Sequence, residues 1–244
     1  MKKIILLVGA VLMLLCISCK KDENEPEKVL LRTKKWYASK EESIPRITYK
    51  FEYDSDDRLF RINSYHKETN DMFGYCIYRY NTEGNLEESR DYSYANDVLG
   101  WVLSDSTIYK YENRLLIFSQ THYPPPISYA VSYHYEYEGS SLKKESRFDN
   151  NELLYIILYD YSNGLCTKET RFVDSGLKNI SDYRIHHYEG GLRIRSDVYN
   201  SQNQVIQIIT HEYDLNGNLI LEVSEKTDFT VVAPLDYMYR YEYN

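Results

Sequence analysis

The stretch that decides the fold is Tyr213-Asp214-Leu215-Asn216-Gly217-Asn218-Leu219, and Tyr80-Asn81-Thr82-Glu83-Gly84-Asn85-Leu86 nearly repeats it. In both stretches a tyrosine precedes Asp or Asn, a glycine and a leucine, a composition typical of a tight turn between two strands. Weaker copies begin at six further tyrosines: Tyr53, Tyr111, Tyr137, Tyr161, Tyr188 and Tyr243. These anchor tyrosines are 27, 31, 26, 24, 27, 25 and 30 residues apart. The spacing predicts a chain of β-hairpin repeats.

The segments that enter these turns alternate with the period of a pleated strand. Tyr49, Phe51 and Tyr53 fall on one face, while Lys50 and Glu52 fall on the other. Weaker turns between the anchor turns give about two strands to each repeat, and no helical period appears after residue 30. The sequence therefore predicts an all-β protein, an antiparallel meander of about 14 to 16 strands that forms a curled sheet or an open, barrel-like one.

The Tyr-Asp-x-x-Gly-Asn-Leu pattern resembles the YD repeats of the RHS family, whose arrays of β-hairpins wind into sheets or hollow shells. The resemblance covers roughly residues 45–244. It implies an architecture and not an activity, because the sequence contains neither the long array nor the effector domain of the toxin-delivering members.

Composition narrows the class of protein. The chain has 244 residues, 43% of them hydrophobic and 27% charged, which is enough apolar material for a packed core. Its 27 tyrosines are mostly explained by the repeat. The net charge of -8 comes without a basic stripe, so we expect no nucleic-acid partner.

The first residues predict export. Two lysines precede the apolar run from Ile4 to Leu15, which is shorter than the ~20 residues of a membrane-spanning helix. Cys16-Ile17-Ser18-Cys19 resembles the lipobox of bacterial lipoproteins, which implies cleavage before Cys19 and acylation of that cysteine. The alternatives are a plain soluble signal peptide or a retained helix.

We accordingly expect residues 1–18 to be a lipoprotein signal peptide, 19–35 a lipidated cysteine with a disordered tether, and 36–244 the repeat domain. The implied location is the bacterial outer membrane. The acidic stretch after Cys19 resembles the export signal of surface-exposed lipoproteins, and a periplasmic linker is the alternative.

No pattern predicts catalysis, a metal site or a cofactor. His186 and His187 are adjacent, so on a strand they point to opposite faces and cannot hold one ion together. Cys76 and Cys166 are interpreted as two buried free thiols rather than a disulfide. The abundant carboxylates single out no acid pair, although a carbohydrate-active enzyme stays open as a minor alternative.

Interruptions of the repeat supply the candidate binding residues, because loops on a rigid scaffold commonly carry binding. Trp101 ends the insertion 95–101, Tyr123 and Pro125 belong to a proline run expected to be stiff and extended, and Leu235 lies in an apolar insertion. The leading hypothesis is a non-catalytic binding module for a protein or a glycan. The alternative is an assembly protein that pairs through an open sheet edge at 237–243.

Overall fold

A computed structural model describes residues 29–66, 69–96, 98–227 and 237–243, with the side chain of Asn96 left aside. The lipobox with Cys19, and Leu235, lie outside the described residues. Residues 31–244 form one unit. Its strands are β1 Leu31–Tyr37, β2 Ile47–Tyr53, β3 Leu59–His66, β4 Met72–Tyr80, β5 Leu86–Asn96, β6 Gly100–Glu112, β7 Leu115–Tyr123, β8 Tyr129–Glu138, β9 Ser141–Asp149, β10 Glu152–Ser162, β11 Leu165–Phe172, β12 Ile180–Glu189, β13 Leu192–Asn200, β14 Val205–Tyr213, β15 Leu219–Lys226 and β16 Tyr237–Tyr243.

The strands form a closed antiparallel barrel in which each strand pairs with its neighbours in sequence and β16 pairs with β1. The predicted all-β meander is confirmed, with 16 strands, but the sheet is closed rather than open. The expected open edge at 237–243 is wrong, because β16 lies between β15 and β1, with Tyr241 opposite Lys34. No described residue is helical, so no helix there is long and apolar enough to cross a membrane.

The barrel has two different rims. The turn rim holds the short turns that follow the even-numbered strands β2 to β14, together with the start of β1 and the end of β16. The loop rim holds the connections that follow the odd-numbered strands, among them 38–46, 124–128 and 173–179. Because β1 begins at Leu31, residues 31–35, assigned above to the tether, are part of the barrel.

The repeat residues build the turn rim. The side-chain Oδ1 of Asp54, Asn81 and Asp214 accepts two backbone N–H bonds each, from the residues two and four places later, at 2.8 to 3.0 Å. Gly84 and Gly217 both have φ of 82°, a left-handed conformation that disfavours side chains with a Cβ. The Asp/Asn and Gly of the pattern are thus turn-forming residues.

The anchor tyrosines join neighbouring hairpins. Six of them donate a hydroxyl hydrogen bond of 2.7 to 3.0 Å to a backbone carbonyl 20 to 24 residues earlier, a contact called here the latch. The pairs are Tyr53 to Leu31, Tyr80 to Leu59, Tyr137 to Leu116, Tyr188 to Cys166, Tyr213 to Arg193 and Tyr243 to Leu219. The buried hydroxyl of Tyr111 finds no partner among the described residues.

The tyrosine-rich face is the inner one. Burial raises the pKa of Tyr237 on β16 and Glu222 adds to this, while Arg184 on β12 lowers it from four strands away. Charges that far apart along the sheet act on each other only across its concave side. Small residues fit beside the rings there: the hydroxyl of Ser119 lies 3.3 Å from that of Tyr135. Closure of the sheet therefore turns most of the tyrosine excess inward.

Candidate functional site

Four aromatic side chains cluster on the outer wall near the loop rim. Tyr75 stacks on Tyr92 at 4.8 Å between ring centroids, and its ring meets the edge of Trp101 at 5.0 Å. Tyr94 packs against Trp101 at 5.4 Å. These residues, called here the Trp101 patch, come from β4, β5 and β6.

The insertion foreseen at 95–101 creates this cluster by lengthening one hairpin. β5 and β6 contain 11 and 13 residues, and their pairing shifts register twice before the connecting loop, which places Tyr94 opposite Trp101. Apolar side chains continue the surface beyond the rings, with Val98 92% and Leu99 64% exposed. The loop therefore extends an aromatic wall into an apolar tip.

A cation completes the patch. The guanidinium of Arg61 lies over the ring of Tyr75 at 4.2 Å, a cation–π arrangement. Its Nε is buried and finds no acceptor among the described residues. Aromatic rings beside an arginine are the side chains enriched at binding hot spots, so the patch offers both stacking area and a donor.

The other sequence candidates lie elsewhere. Tyr123 packs on Tyr129 at 5.7 Å, and burial together with Asp105 raises its pKa, which places its hydroxyl on the inner side of the wall. The proline run is not the stiff extended segment expected: it turns, with the Ile127 N–H donating to the Pro124 carbonyl at 3.2 Å, because it must connect two antiparallel strands. The structure therefore separates Trp101 from Tyr123 and Pro125.

A second cluster lies on the inner wall. Ligand atoms of Cys166, Glu169 and His186 all lie within 4.8 Å of one another. His186 Nε2 is 2.9 Å from Glu169 Oε1, and its Nδ1 is 2.8 Å from Ser196 Oγ. As expected for adjacent strand residues, His187 faces outward and contacts Asp197 at 2.9 Å.

Glu169 and Cys166 of this inner cluster differ in their readiness to ionise, because the pKa of the carboxyl group is lowered and the pKa of the thiol is raised. Burial opposes the ionisation of Glu169, but the hydrogen bond to His186 and the charges of Arg184 and Arg193 outweigh it and lower the pKa of Glu169 to about 2. Burial, with Glu169 adding, raises the pKa of the Cys166 thiol to about 11. The thiol is free, as expected, but half-buried, whereas that of Cys76 is buried.

A small cavity adjoins the inner cluster. Its volume is about 20 Å³, and its lining is mostly charged: Ile157, Glu169, Arg171, Asp182 and Arg184. This is room for about one water molecule.

Sequence reasoning missed the inner cluster because it depends on the exact register of β11 against β12 and of β12 against β13, which the repeat spacing does not determine. The signal that could have found it is the departure of Cys166 and His186 from the residues that the other repeats place there.

Two further carboxylates face inward side by side. Asp91 on β5 is the direct cross-strand partner of Asp105 on β6. Burial, with Asp105 adding, raises the pKa of Asp91 to about 7, and burial raises that of Asp105 to about 6. If the carbohydrate-active alternative is correct, this acid pair is where it should be tested.

The chain matches no protein-family profile and no curated protein. Among solved structures it is similar to a porin-like protein from Bacteroides uniformis, with a TM-score of 0.55 and 12% identity, over 88% of this chain and 95% of that one. Weaker similarities are to a TcdB2–TccC3 structure (TM-score 0.28, 14% identity, 76% of this chain and 12% of that one) and to a protein of unknown function from Bacteroides fragilis (TM-score 0.18, 14% identity, 66% and 87%). Only the first similarity, to the porin-like protein, bears on the fold.

Proposed function

We propose that this protein is a lipid-anchored component of the bacterial envelope whose barrel binds a glycan through the Trp101 patch, without catalysis. The observation that carries the proposal is the grouping of Tyr75, Tyr92, Tyr94 and Trp101 on one outer wall. Flat rings stack on sugar faces, and the Arg61 guanidinium beside Tyr75 can donate to hydroxyl groups. A protein partner is the alternative occupant of the same surface.

The envelope location is supported by the lipobox-like Cys19 and by the fold. The outer wall carries ion pairs, such as Arg79 to Glu88 at 3.2 Å and Lys144 to Glu136 at 2.8 Å. A barrel that spans a bilayer instead presents an apolar band about 25 Å tall to lipid. We therefore infer that the barrel stands beside the membrane on its tether rather than within it.

Glycan retention tests the binding site. The purified full chain should retain a polysaccharide from a broad panel, and Trp101→Ala should weaken retention by about tenfold or more, a typical hot-spot loss. Tyr199→Ala is the matched control, since Tyr199 stacks on Tyr183 at 4.7 Å on the outer wall away from the Trp101 patch. This control should retain the glycan fully.

Two results would decide against a glycan. If no polysaccharide is retained but crosslinking in the membrane captures a partner that Trp101→Ala loses, the ligand is a protein. If neither occurs, or if Tyr199→Ala is equally damaging, the Trp101 patch is not the binding site.

The anchor is tested separately. Cys19→Ala should release the protein from the membrane fraction, because acyl chains on that cysteine supply the attachment. Unchanged membrane association of this variant would refute lipidation while leaving the Trp101 patch untouched.

A further inference from the structure

We propose that Cys166, Glu169 and His186 bind a zinc ion on the inner wall of the barrel, with one coordination position left open. A thiolate, an imidazole and a carboxylate are all ligands that Zn²⁺ takes, and three protein ligands with an open fourth position is a recurring zinc geometry. The ligand atoms already lie within 4.8 Å of one another, so small side-chain movements suffice to surround an ion.

The histidine is held in the orientation that a ligand needs. Without metal, the Nε2–H of His186 donates to Glu169 Oε1, 2.9 Å away. When an ion takes the place of that proton, Ser196 Oγ, 2.8 Å from Nδ1, can accept the proton that Nδ1 then carries. Such an outer hydrogen bond fixes the tautomer of metal-binding histidines. Ser196 and the His186 side chain are each only 1% exposed, so this orientation is well constrained.

Arg184 does not block the site. Its Nη1 lies 3.5 Å from Glu169 Oε2, the other carboxylate oxygen, so Oε1 stays available to an ion. The fourth position of a zinc ion there is left for a water molecule or a ligand. Binding replaces the thiol proton of Cys166, which leaves to solvent as the sulfur–zinc bond forms.

Cys166 and His186 differ from the residues that most other repeats place at the same positions. The latch carbonyl belongs to a leucine in four of the six latched repeats, at Leu31, Leu59, Leu116 and Leu219, and to Cys166 in this one. Two residues before the latch tyrosine the same four repeats place an aromatic residue, at Phe51, Tyr78, Tyr135 and Tyr241, where this repeat has His186. Two independent departures from the repeat thus converge on one point beside Glu169.

The next repeat contains a similar histidine–glutamate pair with which this site can be compared. His211 occupies the equivalent place in the next repeat and faces Glu222 at 3.4 Å, but the latch carbonyl there belongs to Arg193. A histidine–glutamate pair therefore recurs without a thiol, with an arginine in its place. The proposal predicts metal at the first pair and none at the second.

Cobalt titration tests the site, because a thiolate bound to Co²⁺ gives a near-ultraviolet charge-transfer band that imidazole and carboxylate alone do not. The full chain, reduced and freed of metal by a chelator, should bind one Co²⁺ with this band and lose it when Zn²⁺ displaces cobalt. Cys166→Leu and His186→Tyr restore the residues of the other repeats and should therefore fold, while the band disappears. Ser196→Ala should weaken zinc binding by about 10- to 100-fold.

The matched controls are Cys76→Ser, which removes the other described thiol, and His211→Tyr, which alters the thiol-free pair. Both should keep the band and one-to-one binding. No band in the unmodified chain, a band that survives Cys166→Leu, or a band lost in Cys76→Ser would each overturn the proposal. A thermal melt without metal checks that every variant is folded.

Discussion

At the turn rim every connection follows the repeat, whereas at the loop rim the connections differ in length and composition. The turn rim holds Asp/Asn-capped turns and the latches, with tyrosine hydroxyls bonded to carbonyls. Toward the loop rim the inner wall carries the acid pair Asp91 and Asp105, and the outer wall carries the Trp101 patch. The turn rim is built mostly from contacts that recur from repeat to repeat, whereas the acid pair and the Trp101 patch each occur once.

The largest expected change in the free energy of unfolding comes from substituting Asp91, one member of the acid pair with Asp105. The pKa of Asp91, about 7, lies above its ordinary value, so the folded state keeps a proton that the unfolded chain has released. Its stabilising contribution is therefore complete below about pH 4 and is lost progressively as pH rises from about 4 to about 7. Asp91→Asn should raise the free energy of unfolding at pH 8 by on the order of 1 to 3 kcal/mol relative to the unmodified protein.

Urea unfolding at pH 5 and pH 8 measures this difference. Asp160→Asn is the control, since Asp160 is exposed on the outer wall and should leave the pH dependence unchanged. Equal pH dependence in Asp91→Asn and the unmodified protein would contradict the raised pKa of Asp91.

A smaller effect is expected at a turn glycine. A Cβ on Gly84 would meet nothing within 4 Å, so the cost of Gly84→Ala comes from its φ of 82° alone and should be about 1 to 2 kcal/mol. Gly176 in the loop rim has no positive φ, and its added Cβ would lie 3.1 Å from Asp174 Oδ1, which accepts a hydrogen bond from the Lys178 N–H at 3.2 Å. Gly176→Ala should cost less than Gly84→Ala in the same urea assay, because a small shift of one side chain relieves it. Equal losses would mean that the two rims constrain the backbone alike.

The smallest effect isolates one latch. Tyr80→Phe removes a hydrogen bond of 2.9 Å to the Leu59 carbonyl and should lower the free energy of unfolding by about 1 kcal/mol. Tyr111→Phe is the matched control, since that buried hydroxyl finds no partner among the described residues, and its removal should be neutral or stabilising. A larger loss in Tyr111→Phe than in Tyr80→Phe would remove the latch as a source of stability.

Local patterns predicted the strands well because each hairpin is encoded within about 30 residues. Turn glycines such as Gly84 indicate where the turns lie, and the alternating tyrosines indicate the period of the strands. Closure could not be predicted in the same way, since it depends on pairing β1 with β16, whose partners Lys35 and Glu242 are 207 residues apart. The expected open edge failed for this reason.

The candidate site was only partly foreseen. Trp101 stood out as a departure from the repeat spacing, but its partners Tyr75 and Tyr92 resembled ordinary repeat tyrosines until the register placed them beside it. The meeting of Cys166 with His186 likewise depends on cross-strand pairing, which sequence spacing alone does not determine.

The latch also bears on how such a barrel can change in size. Each latched hairpin carries a tyrosine donor for the hairpin before it, and Tyr53 and Tyr243 make the same bond on either side of the β1–β16 seam. A duplicated hairpin would bring its own donor and acceptor, so it could enter the ring without leaving an unpaired neighbour. The number of strands in such a barrel can therefore increase or decrease by whole hairpins.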